Sequence, residues 1–194
     1  MRPIPEAIAA KVMAAAELFA ERGLDGAKMS EILAVTGIPR ATLYYHFEGK
    51  EAVFSYMCSV VFDAFEEAVS AAFNGPGNGA ERLSRVIRAQ IDLYATYPNA
   101  LQALHLDLGR AARRPELVER AARTYIRPLA DLLEEGAADG SLRTFSKPRA
   151  VAAAILGSVT IAAEQTLSST DEHAVSALHE EMTSLFLRGV QAQG

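Results

Sequence analysis

Nowhere in this chain do apolar and polar residues alternate as a half-buried strand requires. Apolar residues recur instead at three- and four-residue steps, in segments of helix length separated by Gly and Pro. That pattern restricts the 194 residues to an all-α fold. The first helix is expected from about Glu6 to Arg22, where Ile8, Val12, Ala15 and Phe19 form one stripe and Gly23 supplies a left-handed stop. A short segment carrying Met29, Ile32 and Leu33 follows. After Thr36-Gly37-Ile38 comes a third short helix, from Pro39 or Arg40 to Phe47. A long fourth helix runs from about Lys50 to Phe73 and ends in the loop Asn74-Gly75-Pro76-Gly77-Asn78-Gly79. Further helices at about 80–96, 98–109, 115–138, 147–168 and 172–191 bring the total to about nine.

Bulk properties narrow the function. Half of the residues are apolar, enough for a sizeable core, and the net charge is −5. The first 50 residues hold six Lys/Arg and six Asp/Glu, so any binding of nucleic acid must come from a few placed cations and helix ends. Cys58 is the single cysteine, which rules out an intrachain disulfide, and a buried inert thiol is expected of it. The start has no signal-peptide core. The longest uncharged run, Ala150 to Ala163, is too short to span a membrane, so no membrane partner and a cytoplasmic location are expected. The four histidines show no metal-ligand spacing. No Ser/His/Asp arrangement, phosphate loop or carboxylate–His cluster is present, so neither enzymatic activity nor a cofactor is expected.

Three helices within the first 48 residues, the last two short and joined at Gly37, suit a helix-turn-helix. Ile38, Leu43 and Phe47 can anchor the second and third helices onto Phe19 and Ile32. Arg40, Ala41, Thr42, Tyr44, Tyr45 and His46 are then left facing outward, a set suited to the major groove. Lys50 opens the fourth helix, where a cation beside free N–H groups can clamp phosphate.

The stretch from Val12 to Met57, with AAAELFAERG, the turn TGI, and TLYYHF followed by GKEAVF, resembles the DNA-binding domain of the tetracycline-repressor (TetR) family. The resemblance implies phosphate contacts for Thr42, Tyr44 and Lys50, base-edge contacts for Arg40, Ala41 and Tyr45, and a place near the DNA backbone for His46. Two positions depart from the family. Ala27 stands where a Thr or Ser usually caps the second helix and touches phosphate, which leaves Lys28 to reach the phosphate or Ser30 to restart the cap, and Pro39 stands where Ser is frequent. The implied organisation is a helix-turn-helix domain at 1–48 and a helical ligand-binding and dimerisation domain at 49–194. The implied function is a repressor that binds double-stranded DNA at a palindromic operator.

Val175, Leu178, Met182, Leu185 and Gly189 are spaced like a coiled-coil seam, widened by Phe186. With Ile155 and Val159 of the Ala-rich preceding helix they are the expected homodimer interface. Phe62, Phe65, Tyr94, Tyr97, Leu101, His105, Tyr125, Leu129, Thr160 and Glu164 are the candidate lining of a pocket for a small apolar or aromatic effector, with core packing the competing role for each apolar member. The alternative is a helical ligand-binding or scaffolding protein that does not bind an operator.

Overall fold

A computed structural model describes residues 4–108, 115–166 and 172–190, and every described element is helical. In chain order these are α1 (Glu6–Val12), α2 (Ala15–Gly26), α3 (Met29–Thr36), α4 (Arg40–His46), α5 (Lys50–Asn74), α6 (Gly79–Thr96) and α7 (Pro98–Leu108). Then follow α8 (Pro115–Ala121), a π-helical turn (Ala122–Ile126), α9 (Arg127–Ala138), α10 (Pro148–Thr166) and α11 (Glu172–Val190). The expected helix ends at 109, 168 and 191 lie outside the described residues. No helix among the described residues is long and apolar enough to cross a membrane.

Two expected helices are each interrupted once. The first breaks into α1 and α2 at Met13 and Ala14, where Ala14 N donates to Lys11 O and Ala16 N to Met13 O. These are tighter i→i+3 bonds, and Met13 and Ala14 keep right-handed helical angles, so the apolar stripe continues across the break. The helix expected at 115–138 contains the π turn, which widens the coil by one residue around Tyr125. Gly23 takes φ 66° and ψ 172°; the positive φ interrupts α2 as expected, although ψ is extended rather than left-handed helical.

The chain forms two compact units. The first comprises Met1–Phe62 with Asn99–Pro115, and the second comprises Asp63–Pro98 with Glu116–Gly194. The first unit therefore takes in the beginning of α5 and the described length of α7 beyond its one residue Pro98. Its core is built on Val12, Phe19, Ile32, Leu43, Phe47, Val53, Phe54 and Met57, all at 1% exposure or less. Phe19 meets Phe54 edge-on at 5.1 Å, and Phe47 tilts against Tyr56 at 5.6 Å. Cys58 is buried.

In the second unit α6 packs against α9, α10 and α11. Leu83, Val86, Ile87 and Ile91 form its inner stripe and are fully buried. Asn78 and Glu81 cap α6 reciprocally, each side chain accepting the other's backbone N–H at 3.0 Å. The turn Asp139-Gly140-Ser141 adds to this cap: Gly79 N donates to Asp139 Oδ2 at 2.8 Å, and Ala80 N to Ser141 Oγ at 3.1 Å. Helix N-terminal N–H groups that lack intrahelical partners are thus supplied from α9's end.

Candidate nucleic-acid interface

The turn between α3 and α4 is built as the sequence demands. Gly37 is left-handed (φ 60°, ψ 18°) and closes α3. Thr36 Oγ1 donates to Ile32 O at 2.8 Å and accepts from Ile38 N at 3.4 Å, holding the chain as it leaves the helix. Ile38 is buried at 3% exposure. Pro39 sits at the N-cap of α4 rather than inside its first turn, and its carbonyl accepts from Leu43 N at 2.9 Å.

Helical periodicity then sorts α4 into two faces. Leu43, with Phe47 just beyond the helix end, points inward and is fully buried. Arg40, Ala41, Tyr44 and Tyr45 are exposed, and Thr42 and His46 are half-buried. Tyr45 is 62% and Tyr44 42% exposed, an unusual amount of aromatic surface for a seven-residue helix to leave in water. The Arg40 guanidinium lies over the Tyr44 ring, 5.4 Å from its centroid. Tyr45 meets His46 edge-on at 5.0 Å.

Lys28 and Ser30 are exposed at the start of α3. The helix cap is not restarted at Ser30. Lys28 is the N-cap residue, and its side chain has no acceptor to offer. Glu31 instead reaches back to accept Lys28 N at 3.0 Å, and it also pairs with Arg22. Ala27 turns its methyl inward and is 1% exposed. An acid three residues into a helix is the signal that could have revealed this cap. Lys50 likewise does more than end a loop: its Nζ donates to Asp25 O at 2.9 Å and Ala27 O at 3.1 Å, tying the α2–α3 connection to the start of α5.

The pocket candidates divide between the units. Phe62, Leu101 and His105 belong to the first; Phe65, Tyr94, Tyr97, Tyr125, Leu129, Thr160 and Glu164 belong to the second. Within the second, Tyr125 stacks on Phe65 at 5.3 Å and meets Phe73 edge-on at 6.1 Å. Gln90, fully buried on α6, joins the polar members. Its Oε1 accepts from the Tyr125 hydroxyl at 2.6 Å, and its Nε2 donates to Leu156 O at 3.0 Å and Thr160 Oγ1 at 3.3 Å. Thr160 also bonds Tyr94, and Glu164 acts on the same phenol. Burial pushes the Tyr94 and Tyr125 phenols far above their ordinary range; for Tyr94 the Thr160 hydrogen bond opposes that rise and the Glu164 charge adds to it. Sequence reasoning missed Gln90, although a glutamine on the stripe of Leu83, Val86, Ile87 and Tyr94 was visible. Leu129 is core, and Tyr97 is half-buried.

Of the residues expected at a dimer interface, Ile155, Val159, Leu178 and Met182 are buried inside the subunit, at 8% exposure or less. Their apolar surface is covered by the subunit itself, because α6 packs against both α10 and α11. Val175 and Phe186 are half-buried, whereas Leu185 and Gly189 are exposed. The exposed stripe of α10 is Ala153, Ala154, Gly157, Ser158 and Ile161. Among the described residues no group of three or more His, Cys, Asp or Glu is placed to hold a metal ion.

Comparison with known proteins gives two family matches. Residues 12–57 match the model described as bacterial regulatory proteins, tetR family. Residues 76–190, more than half of the chain, match the tetracyclin repressor-like C-terminal domain. The chain belongs to the tetR family. Its members are DNA-binding transcription regulators rather than enzymes, and the helix-turn-helix of α3 and α4 is the family's DNA-binding element. The HTH-type transcriptional repressor BepR of Brucella suis is 32% identical over 87 residues, which is 44% of this chain and 41% of BepR. The match thus spans under half the length of that relative. The ketosteroid transcriptional regulator KstR2 of Mycobacterium tuberculosis has the same fold, with a TM-score of 0.84 over 98% of both chains at 18% identity. The fatty acid degradation regulator FadR of Bacillus halodurans superposes with a TM-score of 0.77 over 99% of this chain and 100% of its own, at 20% identity.

Proposed function

We propose that this tetR-family regulator is a homodimeric repressor that binds a palindromic operator through α3 and α4 and is released by a small apolar or aromatic effector. The observation that carries the reading is the outward face of α4. Arg40, Ala41, Tyr44 and Tyr45 stand in solvent while Leu43 and Phe47 lock the helix from beneath. A rigid helix with exposed donors and small or aromatic neighbours is what base-edge recognition needs. Thr42, His46, Lys28, Ser30, Pro39 and Lys50 flank that face and complete the DNA-binding surface. BepR, similar over its matched part, is named a repressor, which favours repression. Binding a chromosomal operator makes the cytoplasm the place of action.

DNA binding is assigned to 1–48, and effector and partner binding to 49–194. For the effector, the second unit offers Phe65, Leu129, Tyr94 and Tyr125 as apolar and aromatic surface, with Thr160, Glu164 and Gln90 as its polar groups. KstR2 and FadR are named for ketosteroids and for fatty acid degradation, two largely apolar chemistries. The helix α5 contributes residues to both units and is the element through which an effector would shift operator affinity, a coupling typically of about 1–3 kcal/mol. For the dimer, Ile161, Leu185 and the small residues of α10 are the exposed face, which another α10–α11 pair can approach closely.

The test is selection of bound duplexes from a random DNA pool at moderate salt. Enrichment of a palindrome with half-sites about one helical turn, or a multiple of it, apart supports the reading. Weak binding to every duplex alike sinks it and favours a ligand-binding protein without an operator. Gly157→Arg should convert the dimer to monomer in sedimentation; an unchanged dimer rejects the α10 face.

A further inference from the structure

Arg40 and Tyr44 are one helical turn apart on α4, and the guanidinium lies over the phenol ring at 5.4 Å. Both side chains are exposed, so the pairing is not imposed by burial. Among the described residues no carboxylate or carbonyl takes an N–H of Arg40. A guanidinium carries five N–H donors, and the Tyr44 ring lies within cation–π range of it. The donor edge of a guanidinium is what pairs with O6 and N7 of guanine. Ala41 beside it is too small to obstruct the approach.

We propose that Tyr44 is a positioning residue for Arg40: its ring, not its hydroxyl, holds the guanidinium in readiness to read one guanine in each operator half-site. A free arginine side chain samples many rotamers and must be ordered on binding; one already laid on a ring loses less freedom. This differs from a phosphate contact through the Tyr44 hydroxyl, the role that the family resemblance implies for it. The proposal rests on the operator-binding reading above.

The two roles separate by substitution. Tyr44→Phe keeps the ring and removes the hydroxyl; Tyr44→Leu removes the ring. Arg40→Lys keeps the charge and removes the planar fork. Each variant is checked for an unchanged melting temperature, then used in the random-pool selection and in binding to the best site and to single-base variants of it. Wild-type protein should enrich a palindrome with a guanine that Arg40→Ala ceases to prefer, a loss of roughly 5- to 150-fold at that position, and that Arg40→Lys prefers less than the wild type does. Tyr44→Phe should retain the preference. Tyr44→Leu should lower it about two- to fivefold, with binding to the variant site unchanged. On the Arg40→Ala background Tyr44→Leu should change nothing further at that position. Uniform weakening on all duplexes by Tyr44→Phe, equal to that of Tyr44→Leu, assigns the hydroxyl to phosphate and overturns the proposal. A palindrome with no Arg40-dependent guanine overturns it while leaving the operator reading intact. No enrichment by the wild type overturns both.

Discussion

The hydroxyl of Tyr125 donates to Gln90 Oε1 at 2.6 Å between two fully buried side chains, and this bond pins the π-helical turn to α6. Gln90 also holds Leu156 O and Thr160 Oγ1, so three groups lose a partner if its amide is removed. Gln90→Leu should destabilise the protein by about 1–3 kcal/mol, roughly the cost of leaving the buried Tyr125 hydroxyl unmatched, since Thr160 keeps its bond with Tyr94. Tyr125→Phe strands only one acceptor and should cost about 1 kcal/mol. The double variant should lose less than the sum of the two. Urea denaturation of the four proteins measures this, and strict additivity would show that the bond does not couple them.

A Cβ placed on Gly79 would lie 2.4 Å from Gly136 Cα, a contact that only backbone movement relieves. The reciprocal Cβ on Gly136 would meet the Leu142 side chain at Cδ1 (2.5 Å) and Cγ (2.7 Å), with Gly79 Cα at 3.2 Å. Gly79→Ala should therefore cost about 2–3 kcal/mol as overpacking between α6 and α9. Gly136→Ala should cost less, because its contacts under 3 Å are with a side chain rather than with backbone. Melting temperatures of the two variants decide the order, and a larger loss at Gly136 would refute the account.

Asp139 accepts from the Ser141 hydroxyl and from the N–H groups of Ser141 and Gly79, and these bonds hold its carboxyl below the ordinary carboxylate range. A folded-state pKa below the unfolded one adds stability above the unfolded value, and this is lost as pH falls through the folded one. Stability should thus decline below about pH 4, and Asp139→Asn should flatten that part of the profile while lowering the melting temperature at neutral pH. An acid limb unchanged by Asp139→Asn would assign the decline to other carboxyls.

Element order and the helix-turn-helix were legible because periodicity and turn chemistry act locally. Gly37 at the turn, Leu43 and Phe47 beneath α4, and the Gly- and Pro-marked breaks all express preferences a few residues long. What stayed hidden depends on partners distant in sequence. The stripe Val175, Leu178, Met182 and Leu185 reads as a seam, but its pattern does not say whether another subunit or α6 of the same one covers it. The structure buries Leu178 and Met182 within the subunit and leaves Leu185 exposed. Gln90 looked like an interruption of an apolar stripe because Tyr125 and Thr160, its partners, lie 35 and 70 residues away. Glu31 took over a cap at Lys28 that the resemblance had placed at Ala27, through a side chain able to reach back one turn.

Lys50 shows how a position read as a phosphate contact also acts within the fold. Its ammonium donates to Asp25 O and Ala27 O, the carbonyls at the end of α2, and so braces the connection that leads into α3. Two of its three donors are engaged there, which leaves one for a phosphate. Lys50→Met should therefore lower stability by about 1 kcal/mol, the bonds being partly exposed, as well as weaken DNA binding. The two effects are separable. Loss of a phosphate contact reduces the salt dependence of binding by about one unit of slope, whereas loss of the brace lowers the melting temperature in the absence of DNA. Lys50→Arg keeps the charge but presents a planar fork in place of a compact ammonium, so it should restore the salt slope more fully than the stability. If Lys50→Met melts like the wild type while its salt slope falls, the lysine acts on DNA alone and the two carbonyl bonds contribute nothing measurable.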